Sequence, residues 1–316
     1  METIIVTGSS GFIGSILVKE LIKNNYKVIG IDIVPSTFID NNYKEYNIDL
    51  TDINQYNNII IDGKILCVCH LAAKIRVDES MVDPNLYYYN NISGLINLLN
   101  WCVHLQINNF LFASTAAVYG NTIQDFTKGY KEEEAGNPVS IYGKTKLMGE
   151  QILKDYQIHG INGYIFRFFN VCGGSELNHG KPIHLLPILI NNLRENKDIK
   201  IFGDDYETDD GTCVRDYVHL LDICNAFILC IKNGFNNNFK IYNLGSSNGF
   251  SVKQIVDECI SQYNADNSIK ILIEKRRAGD TDILIANSDK IYNELGWKCQ
   301  YDLKQMVNDT IVSFNL

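Results

Sequence analysis

The chain has 316 residues, of which 46% are hydrophobic and 21% charged. This length and composition are typical of a globular enzyme of two domains and exclude a disordered or fibrous protein. A formal net charge of −9 disfavours nucleic acid and membrane surfaces as partners, so we expect particular arginines to bind any anionic ligand. No apolar run approaches the roughly 18 residues of a membrane span, and the first residues predict a strand rather than a leader, so we expect a cytoplasmic protein. The nine cysteines lack metal-ligand spacing, so we expect no metal site.

The first half of the chain alternates β-branched runs with helical patterns, which is typical of βαβ units around a parallel sheet. Several runs are apolar on both faces, as strands covered by helices on both sides should be. Within one of them, alternation places Cys67 and Cys69 on one face, where we expect them to pack in the core. The predicted strands are Ile4–Thr7, Lys27–Ile31, Tyr43–Asn47, Ile65–Leu71, Asn109–Ser114 and Asn162–Phe168.

The helical patterns and the loop composition predict two domains. Past Asn170 the βα rhythm breaks, and polar, glycine-rich stretches suggest the loops of a smaller lobe. We predict an α/β fold, with a doubly wound, Rossmann-like parallel sheet over residues 1–180 and a smaller α/β substrate domain over 181–316; parts of 217–248 should pack back onto the first. The predicted helices are Phe12–Asn24, Leu86–His104, Ile141–Tyr156, His219–Lys232, Val252–Gln262, Asp289–Leu295 and Leu303–Phe314.

A glycine motif of the form GxxGxxG lies between the first strand and the first helix. In that context the glycines bring backbone N–H groups and a helix N-terminus against a pyrophosphate. Asp32 follows the second strand, where its carboxylate can bind both ribose hydroxyls, and no arginine follows it, which favours NAD over NADP. The predicted contacts at this end of the cofactor are Gly8, Gly11, Phe12, Ile13, Gly14, Asp32, Ile33, Asp49, Leu50, Leu71, Ala72 and Ala73, although Asp49-Leu50 and Ala72-Ala73 suit simple loops equally well.

A second group of residues is typical of the reacting end of a dinucleotide site. Ser114 and Thr115 end the fifth strand, while Tyr142 and Lys146 lie four residues apart on one helical face. A phenol titrates near 10, so a base at neutral pH needs a shift of about three units, which a nearby ammonium group favours. We predict Thr115, Tyr142 and Lys146 as catalytic, with Ser114, Tyr142 and Lys146 also contacting the cofactor.

Taken together, these segments resemble the extended short-chain dehydrogenase/reductases and, within them, the UDP-glucose 4-epimerases. The resemblance runs nearly end to end, and the segment from Ile201 to His219 is its most selective part. Its other marks are His70–Ala73, Val77–Ser80, Ser114–Gly120, Ser140–Lys146, Arg167–Asn170 and Arg276–Asp280.

The resemblance implies further site residues and a reaction. Asn91 and Phe169 would contact NAD; Thr115 and Tyr142 would contact the reacting sugar of a UDP-sugar substrate. The other residues implied for the UDP-sugar are Asn170, His184, Leu185, Ile201, Phe202, Arg215, Arg277 and Asp280, with His184 standing where some relatives carry Asn. The expected reaction interconverts UDP-glucose and UDP-galactose through a 4-keto sugar and bound NAD.

Three other functions remain open at this point. A 4,6-dehydratase needs an acidic pair after the threonine, whereas Ala116 and Ala117 follow Thr115 here. A UDP-GlcNAc or UDP-glucuronate 4-epimerase would share the motifs, and Leu284 is the best match for the residue facing the sugar C2 substituent. A cofactor-sensing binding protein of this type typically loses the Tyr or the Lys. The helix predicted over Leu86–His104 is apolar on more than one face, which suits either a homodimer contact or burial within one subunit.

Overall fold

The computed structural model describes residues 1–120, 128–174, 182–263, 269–277 and 280–314. The chain divides into two compact units. The first unit comprises Met1–Val118, Gly136–Arg167 and Cys224–Tyr242, and the second comprises Tyr119–Ala135, Phe168–Ile223 and Asn243–Leu316. The predicted domains, 1–180 and 181–316 with parts of 217–248 packing back onto the first, stay a prediction. These units differ from them in that the chain passes between the units several times, and Cys224–Tyr242 belongs to the first unit.

The strands and helices follow in chain order. The strands are β1 Thr3–Thr7, β2 Lys27–Asp32, β3 Tyr43–Asn47, β4 Ile65–His70, β5 Asn109–Thr115, β6 Asn162–Phe168, β7 Asn170–Cys172, β8 Ile199–Phe202, β9 Val214–His219, β10 Phe239–Leu244, β11 Gly249–Ser251, β12 Ile271–Glu274 and β13 Ile283–Leu284. The α-helices are α1 Gly14–Lys23, α2 Val77–Val82, α3 Pro84–Tyr88, α4 Gly94–His104, α5 Ile141–Asp155, α6 Leu185–Arg194, α7 Leu220–Asn233, α8 Val252–Tyr263, α9 Asp289–Leu295 and α10 Leu303–Phe314.

The first unit is built on a sheet in which the described part of the chain supplies seven strands, in the order β10-β6-β5-β4-β1-β2-β3. The pairs β1 with β2, β1 with β4, β2 with β3 and β4 with β5 are all parallel. All residues of β1 and β6 are buried, which agrees with a sheet covered on both faces. Cys67 and Cys69 are fully buried on β4, as predicted. The doubly wound fold is confirmed.

The second unit is organised around β9. The first half of β9 pairs antiparallel with β11 and parallel with β13, and its second half pairs parallel with β7. Strands β8 and β12 form a separate parallel pair. A hydrophobic core under these strands collects side chains from α6, α8 and α10, including Leu189, Val256 and Val307. The helix α6 was not predicted, and neither were the short strands β7 to β13, whose two to six residues give no clear period.

The predicted helix over Leu86–His104 is interrupted. A π-helical turn over Tyr89–Ser93 lies between α3 and α4. Leu95, Leu98 and Leu99 of α4 are fully buried in the core of the first unit. A π-turn inside a helical run commonly accompanies a functional position, and here it carries Asn91.

Candidate active site

The glycine motif forms the turn from β1 into α1. An ideal Cβ built on Gly14, the first residue of α1, would lie 1.9 Å from the Gly8 carbonyl oxygen. One on Gly8 would lie 2.7 Å from the Ala72 backbone nitrogen. The loop therefore closes tightly only with glycine at these positions. Ile13 precedes α1 and gives no side-chain cap, so the N-terminus of this helix suits an anionic group such as a pyrophosphate.

The end of β2 carries a carboxylate that holds the glycine loop. Asp32 Oδ2 accepts a hydrogen bond from the Ser10 N–H at 3.0 Å, and Asp32 Oδ1 accepts one from the Val34 N–H at 3.0 Å. Glu45 on β3 adds a second carboxylate, since its Oε1 accepts from the Ser10 hydroxyl at 3.1 Å and from the Ser36 N–H at 2.7 Å. Two acids suit the hydroxyl donors of an adenosine ribose and oppose a 2′-phosphate. These residues fit NAD.

The remaining residues predicted at this end of the cofactor have mixed surroundings. Asp49 Oδ1 accepts from both the backbone N–H and the hydroxyl of Thr51, at 2.9 and 2.7 Å, so it forms a local turn. The Leu50 carbonyl accepts from the Asn97 amide at 3.1 Å. Ile33 is 63% exposed. Phe12, Leu71, Ala72 and Ala73 are half-buried. Their contacts with NAD remain predictions.

Asn91 connects two segments of the first unit. Its Oδ1 accepts from the Lys74 N–H at 2.8 Å, and its amide nitrogen donates to the Lys74 carbonyl at 3.0 Å and to Thr145 Oγ1 at 3.1 Å. The side chain therefore ties the loop after β4 to the helix α5, next to Lys146. Its amide is committed to the protein, so a positioning role is supported here and the predicted cofactor contact stays a prediction.

The helix α5 brings the predicted catalytic residues together. Ser140 caps it, because its hydroxyl accepts from the Gly143 N–H at 3.0 Å. A Cβ on Gly143 would lie 2.6 Å from the Ala117 carbonyl oxygen, so glycine allows the helix to approach the segment that follows β5. This approach places the Thr115 hydroxyl close enough to the Tyr142 phenol to act on its pKa.

Burial shifts both ionisable members of the predicted catalytic group. It raises the pKa of Tyr142 to about 12, and the Thr115 hydroxyl opposes the shift. Burial lowers the pKa of Lys146 to about 7, while the Glu150 carboxylate opposes that shift. The Lys146 ammonium donates to the Ala113 carbonyl at 2.8 Å and lies 4.9 Å from the centre of the Phe112 ring. Lys146 therefore changes its charge in the neutral range.

Sequence reasoning missed a buried ion pair beside Lys146. Arg167 at the end of β6 contacts Glu150 of α5 through two hydrogen bonds, Nε to Oε1 at 3.0 Å and Nη2 to Oε2 at 2.7 Å. Ser114 donates its hydroxyl to Glu150 Oε1 at 2.5 Å. The spacing of Tyr142, Lys146 and Glu150 at intervals of four was the available signal. A single arginine in the fully buried strand β6 was the other signal.

His70 was also missed as a neighbour of this group. It is 2% exposed at the end of β4, and its Nδ1 lies 2.7 Å from Thr7 Oγ1. Burial, with the Lys146 charge as a second cause, lowers the pKa of His70 to about 3. The imidazole is therefore neutral in the physiological range and adds no charge beside Lys146.

In the second unit, two arginines predicted for the substrate lie in different settings. Arg215 on β9 donates through Nη1 to the carbonyls of Val214 and Thr281 at 2.9 and 2.8 Å, and its Nη2 lies 3.4 Å from Asp280 Oδ1. Arg277 stacks on Phe202, with 4.1 Å between the guanidinium carbon and the ring centre. The structure thus brings Arg215 to Asp280 and Arg277 to Phe202.

The buried thiol of Cys213 is influenced by the charges of both pairs. Burial raises the pKa of Cys213, and the charges of Arg215, Asp280 and Arg277 also act on it. The charges of Arg215, Asp280 and Arg277 therefore lie near enough to Cys213 to act on its thiol. Two guanidinium groups within reach of one region are suited to a diphosphate.

Two other residues predicted to contact the ligands have side chains that are buried in the protein. Ile201 packs in the hydrophobic core of the second unit and is 3% exposed, so a substrate contact by its side chain is not supported. Phe169 is 4% exposed, with its ring 6.2 Å from that of Tyr119, so its side chain likewise belongs to the interior. The half-buried residues that begin β7 and α6 are Asn170, His184 and Leu185.

Comparison with known proteins places this geometry in a family. The pattern of the NAD dependent epimerase/dehydratase family matches residues 4–245. The chain belongs to this family. The match covers the glycine loop, α5 and the first half of the second unit. The predicted resemblance is confirmed.

Members of this family are similar to the chain over nearly its whole length. A UDP-glucose 4-epimerase of Rhizobium meliloti (strain 1021) is 33% identical over 312 residues, which cover 96% of this chain and 94% of that protein. A crystal structure of a UDP-glucose 4-epimerase superposes with a TM-score of 0.91 at 36% identity, covering 99% of this chain and 98% of the other. The Bifidobacterium longum UDP-glucose 4-epimerase, crystallised with NAD+ and UDP, gives 0.89 at 29% identity, covering 99% and 98%.

None of the helices in the described ranges is long and apolar enough to cross a membrane. The same residues hold no group of three or more His, Cys, Asp or Glu side chains that could bind a metal ion.

Proposed function

We propose that this family member is an NAD-dependent UDP-glucose 4-epimerase, and that the first unit binds NAD while the second binds the UDP-sugar. One observation carries the proposal: Thr115, Tyr142 and Lys146 meet beside strand ends that also present the glycine loop. The full-length relatives are UDP-glucose 4-epimerases, which supports the same substrate. An arrangement of this kind performs proton transfer next to a hydride acceptor.

The proposed chemistry at the sugar uses the phenol and the ammonium group. Tyr142 takes the proton of the 4-hydroxyl while Thr115 holds that hydroxyl in place. Bringing the pKa of Tyr142 from about 12 to neutrality requires on the order of 7 kcal/mol, so Lys146 must be charged when the proton moves. Bound NAD would supply the acceptor and donor of the C4 hydride. Return of the proton from Tyr142 after the 4-keto sugar has turned over completes the inversion.

The proposed binding of the nucleotide uses the second unit. Arg277 and Arg215 would bind the diphosphate oxygens, since both carry guanidinium groups, with Arg277 exposed and Arg215 half-buried. Asp280 both pairs with Arg215 and is open enough, with 33% of its side chain exposed, to accept from a sugar or ribose hydroxyl. The Phe202 ring offers an apolar face next to Arg277.

The deciding experiment is a turnover assay without added nucleotide. Purified protein, with its NAD content verified by extraction and chromatography, is incubated with UDP-galactose. We expect UDP-glucose to accumulate to equilibrium, because an epimerase regenerates its cofactor in each cycle. Absence of product from protein that is chemically confirmed to be NAD-loaded would contradict the proposal. Formation of an oxidised sugar nucleotide that stops after one equivalent of the bound NAD would instead indicate a dehydrogenase.

The substrate panel should separate the alternatives. UDP-GlcNAc and UDP-glucuronate are assayed beside UDP-glucose, because Leu284, the residue matched to the C2 substituent, lies opposite Arg215 in the register of β13 and β9. Preferred turnover of UDP-glucuronate would change the assignment within the epimerases. A 4-keto-6-deoxy product would favour the dehydratase, although Thr115 is followed by two alanines.

We also propose a homodimer in the cytoplasm. Tyr89 and Met148, on the π-turn and on α5, are 53% and 43% exposed, and an apolar surface on two helices suits a second copy. Free cysteines throughout the described part of the chain suit a reducing compartment. A concentration series in small-angle scattering that gives only the monomer mass would reject the dimer.

A further inference from the structure

The buried ion pair of the first unit is placed to act on the predicted catalytic lysine. Glu150 and Arg167 are 1% and 3% exposed, so neither charge is screened by solvent. A bidentate contact between a guanidinium group and a carboxylate fixes both groups, and the Ser114 hydroxyl occupies a further lone pair of the carboxylate. The carboxylate is therefore rigid as well as charged.

The residue spacing along α5 places the Glu150 carboxylate on the same helical face as Lys146 and Tyr142. Glu150 lies one turn beyond Lys146 on α5, and Lys146 lies one turn beyond Tyr142. A buried carboxylate one turn away favours the protonated form of an amine. Because Lys146 is only 4% exposed, water cannot supply that stabilisation instead.

The other ionisable groups on the elements packed around Lys146 are neutral or already engaged in hydrogen bonds, so stabilising the ammonium charge falls to Glu150. From β4, His70 faces Lys146 and is neutral at physiological pH. The strand β5 contributes no ionisable side chain. From α2 and α3, which also pack on α5, Glu79 accepts a hydrogen bond from the Tyr87 phenol at 2.9 Å. Arg167 of β6 is held by Glu150 itself.

We propose that Glu150, clamped by Arg167 and Ser114, is a positioning residue that keeps Lys146 charged and thereby sets the alkaline limit of the reaction. The proposal rests on the proposed function, in which the ammonium group supports proton removal by Tyr142. It adds no new chemistry at the substrate. Its effect is on the fraction of enzyme that holds the competent charge state at a given pH.

The main test removes both charges of the pair together. Replacing only Glu150 would leave Arg167 buried and uncompensated, which risks unfolding. In the double variant Glu150→Gln/Arg167→Met, neither member of the ion pair is left buried without its partner. We expect the alkaline limb of the kcat/KM profile to move about one pH unit lower, because Lys146 loses its proton earlier without the carboxylate. At pH values well below this limb, the double variant should approach the rate of the unmodified protein.

A matched control separates electrostatics from stability. Leu153→Ala removes a fully buried side chain of the same helix without changing any charge. We expect it to lower the thermal stability while leaving both limbs of the pH profile in place. If the double variant is folded and its profile superimposes on that of the unmodified protein, the ion pair is structural only and the proposal is overturned.

A second measurement does not depend on turnover. Subtracting the ultraviolet titration of Tyr142→Phe from that of the unmodified NAD-loaded protein isolates the phenolate absorption of Tyr142. With the pair replaced, we expect the phenolate to form at a pH about one unit higher, because the supporting ammonium charge is weakened. An unchanged phenolate midpoint would overturn the role of Glu150. The same titration remains informative if no UDP-sugar is converted, so failure of the proposed function is recognised separately.

Discussion

The charged side chains nearest the predicted reacting end and those predicted for the substrate differ in their exposure to water. In the first unit the charges nearest the predicted reacting end are removed from water: Lys146 is 4% exposed, and Glu150 and Arg167 are buried still further. In the second unit, among the residues predicted for the substrate, Arg277 is exposed and the side chains of Asp280 and Arg215 are 33% and 11% exposed. The difference matches two tasks, because shifting the pKa of a phenol requires desolvated charges, whereas receiving an anionic substrate requires accessible ones.

Tyr142→Phe should give the largest effect on activity. Without the phenol no group of the first unit takes the proton, so we expect turnover to fall about 10³–10⁴-fold. The bound NAD content should be unchanged, because the phenyl ring keeps the shape of the side chain. The measurements are a product assay and cofactor extraction from the same preparation. Retained turnover would contradict the catalytic role, and a pure cofactor sensor would show no difference.

Arg167→Leu should give the largest effect on stability. It leaves the Glu150 carboxylate buried without its partner, so we expect the free energy of unfolding to fall by about 3–5 kcal/mol in urea denaturation. The control is Lys253→Ala in the second unit, which breaks a pair whose side chains are each 53% exposed and should give no measurable change. Equal losses in the two variants would contradict the contrast between the units.

Gly14→Ala tests the tightness of the glycine loop. The new Cβ would lie 1.9 Å from the Gly8 carbonyl, so the loop must open, and we expect about 2–3 kcal/mol lower stability with loss of co-purified NAD. The matched control is Gly94→Ala, where the new Cβ meets Leu50 at 3.4 Å in helical backbone. That change should leave NAD content intact and raise stability slightly. Full NAD content in Gly14→Ala would refute the assigned cradle.

Arg277→Gln tests the open charges of the second unit. We expect KM for UDP-galactose to rise about 10- to 100-fold with a smaller change in kcat, because a charge-assisted contact to the diphosphate is lost. The adjacent Arg276 is the control, since it pairs with Asp205 and stacks on Tyr206 at 4.0 Å. Arg276→Gln should change KM much less. Similar KM values in both variants would place the diphosphate elsewhere.

Local sequence predicted the parts of the site that depend on short-range geometry. The glycine spacing, Asp32 at a strand end and the four-residue interval between Tyr142 and Lys146 all follow from the periods of strands and helices. These elements lie where they were expected. Cys67 and Cys69 were correctly assigned to the core for the same reason.

Long-range contacts were beyond such reasoning. Glu150 and Arg167 are 17 residues apart in sequence, and Glu45 reaches Ser10 across 35 residues, so no local period connects them. The division of the chain into two compact units also depends on such contacts, because Tyr119–Ala135 belongs to the second unit although its neighbours in sequence belong to the first. The side chains of Ile201 and Phe169 were assigned to ligands, yet packing places them in the interior.

The sequence by itself determined the α/β class, the glycine cradle and the alignment of phenol and ammonium on one helix, because each is set by neighbouring residues. Only the tertiary structure decided which charges are buried together, which arginine stacks on Phe202 and how Asn91 ties α5 to the loop after β4. Desolvation depends on everything that surrounds a group, and that environment is assembled from segments far apart in the chain.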